Sequence, residues 1–134
     1  MISSKPYALV VDDDAVILMH ACDILDAAGF RCHEAGSADE AVHILGDHWE
    51  SVTLLFSDVE MPGAMDGFGL ARHVDHHWPH IEIVVASGRV KPAAGEMPDK
   101  ATFIAKPFSA TTVHDHLREK LPDGKMPEPL KRPV

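Results

Sequence analysis

Five short apolar runs, each closed by polar, glycine or proline residues and separated by stretches of helical periodicity, constrain this chain more than any other feature. The third run is the clearest. Residues 52–56 are mostly apolar and rich in β-formers, and the run stops on Ser57-Asp58, with Pro62 forbidding simple continuation. A short, continuous apolar run of this kind reads as a strand buried on both faces of a parallel sheet. Residues 7–11 form a similar run that ends on Asp12-Asp13-Asp14. Residues 81–86 lead to Ser87-Gly88, and residues 102–105 lead to Lys106-Pro107-Phe108. Residues 31–35 are shorter in apolar content and suit an edge strand.

Between these runs the periodicity changes from two to 3.6. Ile17, Ala21, Ile24, Leu25 and Ala28 share one helical face, and Gly29 ends that helix. Ser37-Ala38-Asp39-Glu40 has the spacing of a capping box, opening a helix that buries Ala41, Ile44 and Leu45. Phe68, Ala71, Val74 and Trp78 mark a third helix, closed by Pro79. Ser109 caps a last helix with Val113, Leu117 and Leu121 on one face. Residues 90–99 carry Pro92, Gly95 and Pro98 where the alternation calls for a helix. An internal proline costs a helix about 3 kcal/mol, so the fourth helix is expected to be short or irregular and mobile.

Strands alternating with helices imply an α/β, flavodoxin-like, doubly wound five-stranded parallel sheet of order 2-1-3-4-5, with helices on both faces. That pattern occupies residues 1–121, one domain. Residues 122–134 hold four prolines and mixed charge and read as an extended or disordered tail. The topology sends Asp12, Asp13, Asp58, Ser87 and Lys106 to the carboxyl edge of the sheet, where such folds bind ligands. Three carboxylates together repel one another unless a counter-ion is present. Hard oxygen ligands with room for water suit Mg²⁺. Asp14 is the natural helix cap of the three consecutive aspartates. Lys106 is placed to pair with Asp58 or an incoming anion, Ser87 to donate to a phosphoryl oxygen, and Gly88 to leave that group space.

Bulk composition narrows the function classes. Twelve basic against 21 acidic residues give −9, a field that repels nucleic acid. The segment Met1-Ile2-Ser3-Ser4-Lys5-Pro6 has no apolar core, and no window is long enough to span a membrane, so a cytoplasmic protein is expected. Cys22 and Cys32 lack a metal or redox spacing and read as reduced apolar fillers. His73 and His77 have i, i+4 spacing without an accompanying ligand pattern and read as a solvated helix face. Trp49 and Trp78 close helices and read as packing residues.

Taken together, Val10-Val11-Asp12-Asp13, Ser57-Asp58-x-x-Met61-Pro62, Met65-Asp66-Gly67, Ser87-Gly88 and Lys106-Pro107-Phe108 resemble the receiver domain of two-component response regulators, in order and spacing, over about residues 5–121. The likeness is greatest to stand-alone regulators of proteobacteria. It implies that Asp58 is the phosphoacceptor, taking a phosphoryl group from a sensor histidine kinase or a histidine phosphotransfer protein. It also implies that Asp13, Asp58 and the Glu60 backbone carbonyl hold Mg²⁺, with Asp12 acting through water, and that Ser87 and Lys106 bind phosphoryl oxygens. Lys106–Pro107 is often cis in the family, and Phe103 falls where the family carries a switch aromatic. Such a protein promotes its own phosphorylation and dephosphorylation without being a turnover enzyme. Its output goes through contact with a downstream protein or onward transfer, as a monomer or weak homodimer. Gly63-Ala64 makes the loop after Pro62 one residue longer than the common form, and Glu60 and Arg89, flanking the acceptor, are expected to pair and tune the acyl-phosphate lifetime. Two other classes fit parts of the pattern: a Mg²⁺-dependent aspartyl-nucleophile phosphohydrolase, and a receiver-like binding module that is never phosphorylated.

Overall fold

The computed structural model describes residues 5–131. The start of the chain (residues 1–4), where no signal segment is expected, and the tail end (residues 132–134) lie outside the described residues. Strands β1 (Tyr7–Val11), β2 (Arg31–Ala35), β3 (Val52–Asp58), β4 (Glu82–Ser87) and β5 (Thr102–Ala105) form one parallel sheet of order β2-β1-β3-β4-β5. Helices α1 (Ala15–Ala27) and α4 (Ala110–Lys120) cover one face, and α2 (Ala38–His48) and α3 (Gly67–His77) cover the other. The expected fold class and strand order hold.

The two-residue alternation of each strand divides the core. Ala8, Val10, Leu54, Phe56, Val84, Ala86 and Ile104 face α1 and α4, whereas Leu9, Val11, Leu55, Ile83 and Val85 face α2 and α3. The central strands are apolar throughout because both faces are covered. Helix starts follow the sequence. Asp14 Oδ1 accepts from the amides of Val16 and Ile17 at 2.9 and 3.2 Å, Ser37 Oγ from Glu40 at 3.2 Å, Asp66 Oδ1 from Gly69 at 2.8 Å and Ser109 Oγ from Thr112 at 3.1 Å. The capping box differs in one detail: the Glu40 carboxylate takes the amide of Gly36 at 2.9 Å rather than that of Ser37.

Among the described residues no helix lies between β4 and β5; residues 88–101 run as turns and irregular chain. Pro92, Gly95 and Pro98 explain this, since the prolines supply no amide donors to a helix. The segment is held to the body by its edges. Arg72 on α3 donates to the Glu96 carbonyl, Lys100 donates to the Pro79 carbonyl, and Val90 and Met97 pack against the α2/α3 core.

The tail departs from the extended or disordered expectation. Asp123–Lys125 forms a 3-10 turn and Glu128–Lys131 a short helix, α5. Leu130 is 1% exposed within the α1/α4 core, and the Leu130 carbonyl accepts from Arg118 Nε at 2.8 Å. Lys125 Nζ lies 2.7 Å from the Glu82 carboxylate at the start of β4. A single buried leucine and two charged anchors outweigh the proline content. Gly29 shows how closely the tail sits: at φ +105 it ends α1, and a Cβ there would lie 2.7 Å from Pro127 Cβ.

Trp49 is 41% exposed and meets His80 edge-on, with centroids 5.8 Å apart, so it packs on the surface and not in the core. Trp78 packs against the α2/α3 core as expected.

Candidate functional site

Strand register assembles the site. Val11 pairs with Ser57, so the next residues, Asp12 and Asp58, emerge side by side; Asp58 pairs with Ala86, and Ser87 pairs with Ala105, directly before Lys106. Asp12, Asp58 and Lys106 continue the parity of Val10, Phe56 and Ile104, toward the α1/α4 side.

The Lys106 ammonium lies 2.9 Å from Asp12 Oδ2 and 2.9 Å from Asp58 Oδ1. The side chains of Asp12, Asp58 and Lys106 are 6%, 8% and 17% exposed, so this is a buried three-membered ion cluster. Asp12 is oriented further by its Oδ1, which accepts the Asp14 amide at 2.9 Å. Asp13 is exposed and makes no ion pair among the described residues. One carboxylate oxygen from each of Asp12, Asp13 and Asp58 can nevertheless be chosen so that all lie within 4.8 Å of one another.

Burial pushes the Asp58 carboxyl above its ordinary range; the Lys106 hydrogen bond opposes that shift, and the neighbouring Asp12 charge reinforces it. For Lys106, burial alone would depress the ammonium, but hydrogen bonds to Asp58 and Asp12 outweigh it and hold the group above its ordinary range. The lysine is therefore a firm cation, and Asp58 retains an electrostatic demand that one ammonium does not meet. Two buried acids, one exposed acid and one lysine leave net negative charge at a water-accessible edge. An all-oxygen donor set of this size fits a small hard divalent cation.

Ser87, expected to bind a phosphoryl oxygen, stands at the end of β4 on the same sheet edge. It is 3% exposed, and its Oγ accepts from the amides of Arg89 and Val90 at 3.2 and 3.0 Å, tying down the start of the irregular β4–β5 segment. Its hydroxyl hydrogen makes no hydrogen bond among the described residues, so a donor is left for an incoming oxygen. A Cβ at Gly88 would meet Lys106 Cβ at 3.5 Å, ordinary contact, so the protein alone does not require glycine there. Arg89 and Glu60 approach to 3.9 Å while 86% and 44% exposed, a loose, solvated pair. Phe103 is half-buried on edge strand β5, outside both core clusters. The Lys106–Pro107 bond is cis.

Gly67 is a requirement that motif spacing alone does not explain. A Cβ there would lie 1.9 Å from the Asp58 carbonyl oxygen, and the Gly67 amide donates to Val59 O at 2.8 Å. The loop after Asp58, with Gly63 at φ +111, therefore folds back against the strand end and fixes the Asp58 backbone. Beside the site, a cleft of about 450 Å³ is lined by Ile17, His20, Arg89, Lys106, Pro107 and Phe108. Val16 and Met19 on α1 are 75% and 62% exposed nearby. His73 and His77 stack with centroids 4.1 Å apart and acquire no third ligand; among the described residues the three aspartates are the one group suited to a metal.

A family model described as the response regulator receiver domain matches residues 8–118. The chain belongs to the receiver domain family of two-component response regulators. This receiver domain is 34% identical to sensor kinase CckA of Brucella abortus (strain 2308) over 89% of the chain and 13% of that protein. It is 32% identical to the C4-dicarboxylate transport transcriptional regulatory protein DctD of Rhizobium meliloti (strain 1021), over 81% of the chain and 24% of that protein. The chain thus spans a quarter or less of these curated relatives' lengths. Among solved structures, the receiver domain from hybrid histidine kinase CckA superposes with a TM-score of 0.71 at 28% identity, covering 87% of this chain and 99% of that one. A CheY-like receiver domain protein from Methanospirillum hungatei JF-1 gives 0.76 at 24% identity over 88% and 94% of the two chains, which shows the shared fold.

Proposed function

We propose that the receiver domain accepts a phosphoryl group on Asp58 from a histidine kinase or histidine phosphotransfer protein. The observation that carries this reading is the pair of 2.9 Å contacts joining Lys106 to the buried Asp12 and Asp58 carboxylates, beside exposed Asp13. In the transfer, an Asp58 oxygen attacks phosphorus, an O–P bond forms, and the N–P bond of the phosphohistidine breaks, leaving the imidazole to take a proton. Chemistry of this kind depends on positioning and charge neutralisation more than on covalent help from the protein.

Each residue contributes one part. Asp58 is the nucleophile, held by β3 and by the Gly67 loop. Lys106 neutralises charge on Asp58 and on the incoming phosphoryl oxygens, and Ser87 supplies its unused O–H. Asp13 and Asp58, with the Glu60 carbonyl and with Asp12 through water, would hold Mg²⁺, which when bound neutralises carboxylate and phosphoryl charge. Phe103 is assigned the switch role, responding to movement of Ser87. Arg89 and Glu60 screen the acyl phosphate from water; the loose pair supports only a several-fold effect on lifetime. Val16 and Met19 offer apolar contact to a protein that brings the phosphorylated imidazole. Added phosphate carries about two negative charges near pH 7, enough to bias a two-state equilibrium. Output through protein contact or onward transfer to a histidine agrees with the net charge of −9, which disfavours nucleic acid.

The test is incubation with a small acyl-phosphate donor and Mg²⁺, followed by mass spectrometry and phosphate release. One phosphate retained on Asp58, absent in Asp58→Asn, is expected. Continuous turnover would instead indicate a phosphohydrolase, and no label a binding module.

A further inference from the structure

Cys22 and Cys32 play no part in the carboxylate site, and the fold brings them together at the opposite corner of the sheet. Cys32 sits on β2, paired across the ladder with Ala8, and α1 covers that pair of strands with Cys22 facing down. The Cys32 thiol donates to the Cys22 carbonyl oxygen at 3.7 Å. Cys22 is 8% exposed and Cys32 is half-buried, so Cys32 is the more accessible residue of the two.

The contact divides the pair into unlike partners. The neighbouring Cys22 side chain lowers the Cys32 thiol, against the opposing effects of burial and of Asp26, Glu34 and Asp23. The neighbouring Cys32 side chain, then burial, raises the Cys22 thiol.

We propose that Cys22 and Cys32 form a reversible intramolecular disulfide on exposure to a hydroperoxide, making the α1–β2 corner an oxidative modification site. The Cys32 thiolate attacks one peroxide oxygen, the O–O bond breaks, and hydroxide leaves a sulfenic acid on Cys32. The Cys22 sulfur then attacks the Cys32 sulfur; an S–S bond forms, the S–O bond breaks, and the departing hydroxide takes the Cys22 proton as water. Two thiols lose two electrons and two protons, and hydrogen peroxide becomes two waters. The new bond ties α1, the helix that starts directly after Asp12-Asp13-Asp14, to edge strand β2.

The test uses the full chain, reduced, desalted and treated with excess hydrogen peroxide. Free thiols are then alkylated, and the unreduced protein is digested with trypsin. Cleavage after Arg31 separates the cysteines into peptides 1–31 and 32–72, so a linked pair is unambiguous. The expected result is no alkylation and a 1–31/32–72 cross-linked pair two hydrogens lighter than its two peptides, methionine oxidation apart, that thiol reductant reverses. Two alkylated thiols, sulfinic or sulfonic acid on either cysteine, or chains joined between molecules through Cys32 would each overturn the proposal.

Discussion

Replacing Lys106 by methionine keeps the aliphatic stem and removes the only cation paired with Asp12 and Asp58 among the described residues. The two carboxylates, 6% and 8% exposed, are then left facing each other. Removing one partner of a buried pair costs 3–5 kcal/mol, and the 17% exposure of Lys106 at a water-accessible edge points to the lower end, about 3 kcal/mol. With about 2.1 cal/mol/K of unfolding entropy per residue, 134 residues give about 0.28 kcal/mol/K, so the melting temperature should fall by roughly 10 °C in EDTA. Mg²⁺ should recover more stability in Lys106→Met than in the parent, since a divalent cation binding the folded state replaces the lost counter-charge. Thermal unfolding followed by circular dichroism in EDTA and in Mg²⁺ reads both effects. A variant melting within about 2 °C of the parent in EDTA would refute the claim that the lysine holds two buried like charges together.

Three further outcomes follow from the packing. Gly67→Ala forces a Cβ against the Asp58 carbonyl, where 1.9 Å is available, and should lose about 3 kcal/mol in urea unfolding while slowing phosphorylation; an unchanged midpoint would contradict the described loop. Leu130→Ala empties a site 1% exposed and should lose about 2–4 kcal/mol, whereas a freely extended tail would lose none. His116, bonded to Thr102 at 2.7 Å, is depressed chiefly by burial and then by Lys120, and His33 and His73 are also depressed chiefly by burial. These groups bind fewer protons folded than unfolded, so stability should be level above pH 7.5 and fall as pH drops through about 6.5. His116→Gln should shallow that slope in pH-dependent urea melts, and an unaltered slope would exclude His116 as a contributor.

The fold was legible where chemistry and periodicity coincide. Strands announced themselves as apolar runs halted by Asp12, Ser57, Ser87 and Lys106, and the aspartate and serine caps fixed the helix starts. Boundaries slipped where polar residues continue a ladder: β3 runs on to Asp58 because Ser57 and Asp58 still pair with Val85 and Ala86. Pro92, Gly95 and Pro98 foretold the missing helix. The tail was misjudged because proline and charge count toward disorder, while one well-placed Leu130 decides docking. The convergence of Asp12, Asp58 and Lys106 was readable from strand order, but the direction of Ser87 Oγ was not, since it depends on the amides of Arg89 and Val90. The meeting of Cys22 with Cys32 was also hidden, because a helix face and a strand face share no common period.

The central claim is that acids from two chain segments form one cation-ready pocket with Lys106. Titration of isotopically labelled protein with Mn²⁺, followed by the loss of backbone NMR signals, tests it most directly. One site is expected, with broadening centred on residues 12, 13 and 58–60, extending to 87 and 106, and competed away by Mg²⁺. Broadening centred on His73 and His77, or none that Mg²⁺ displaces, would contradict it.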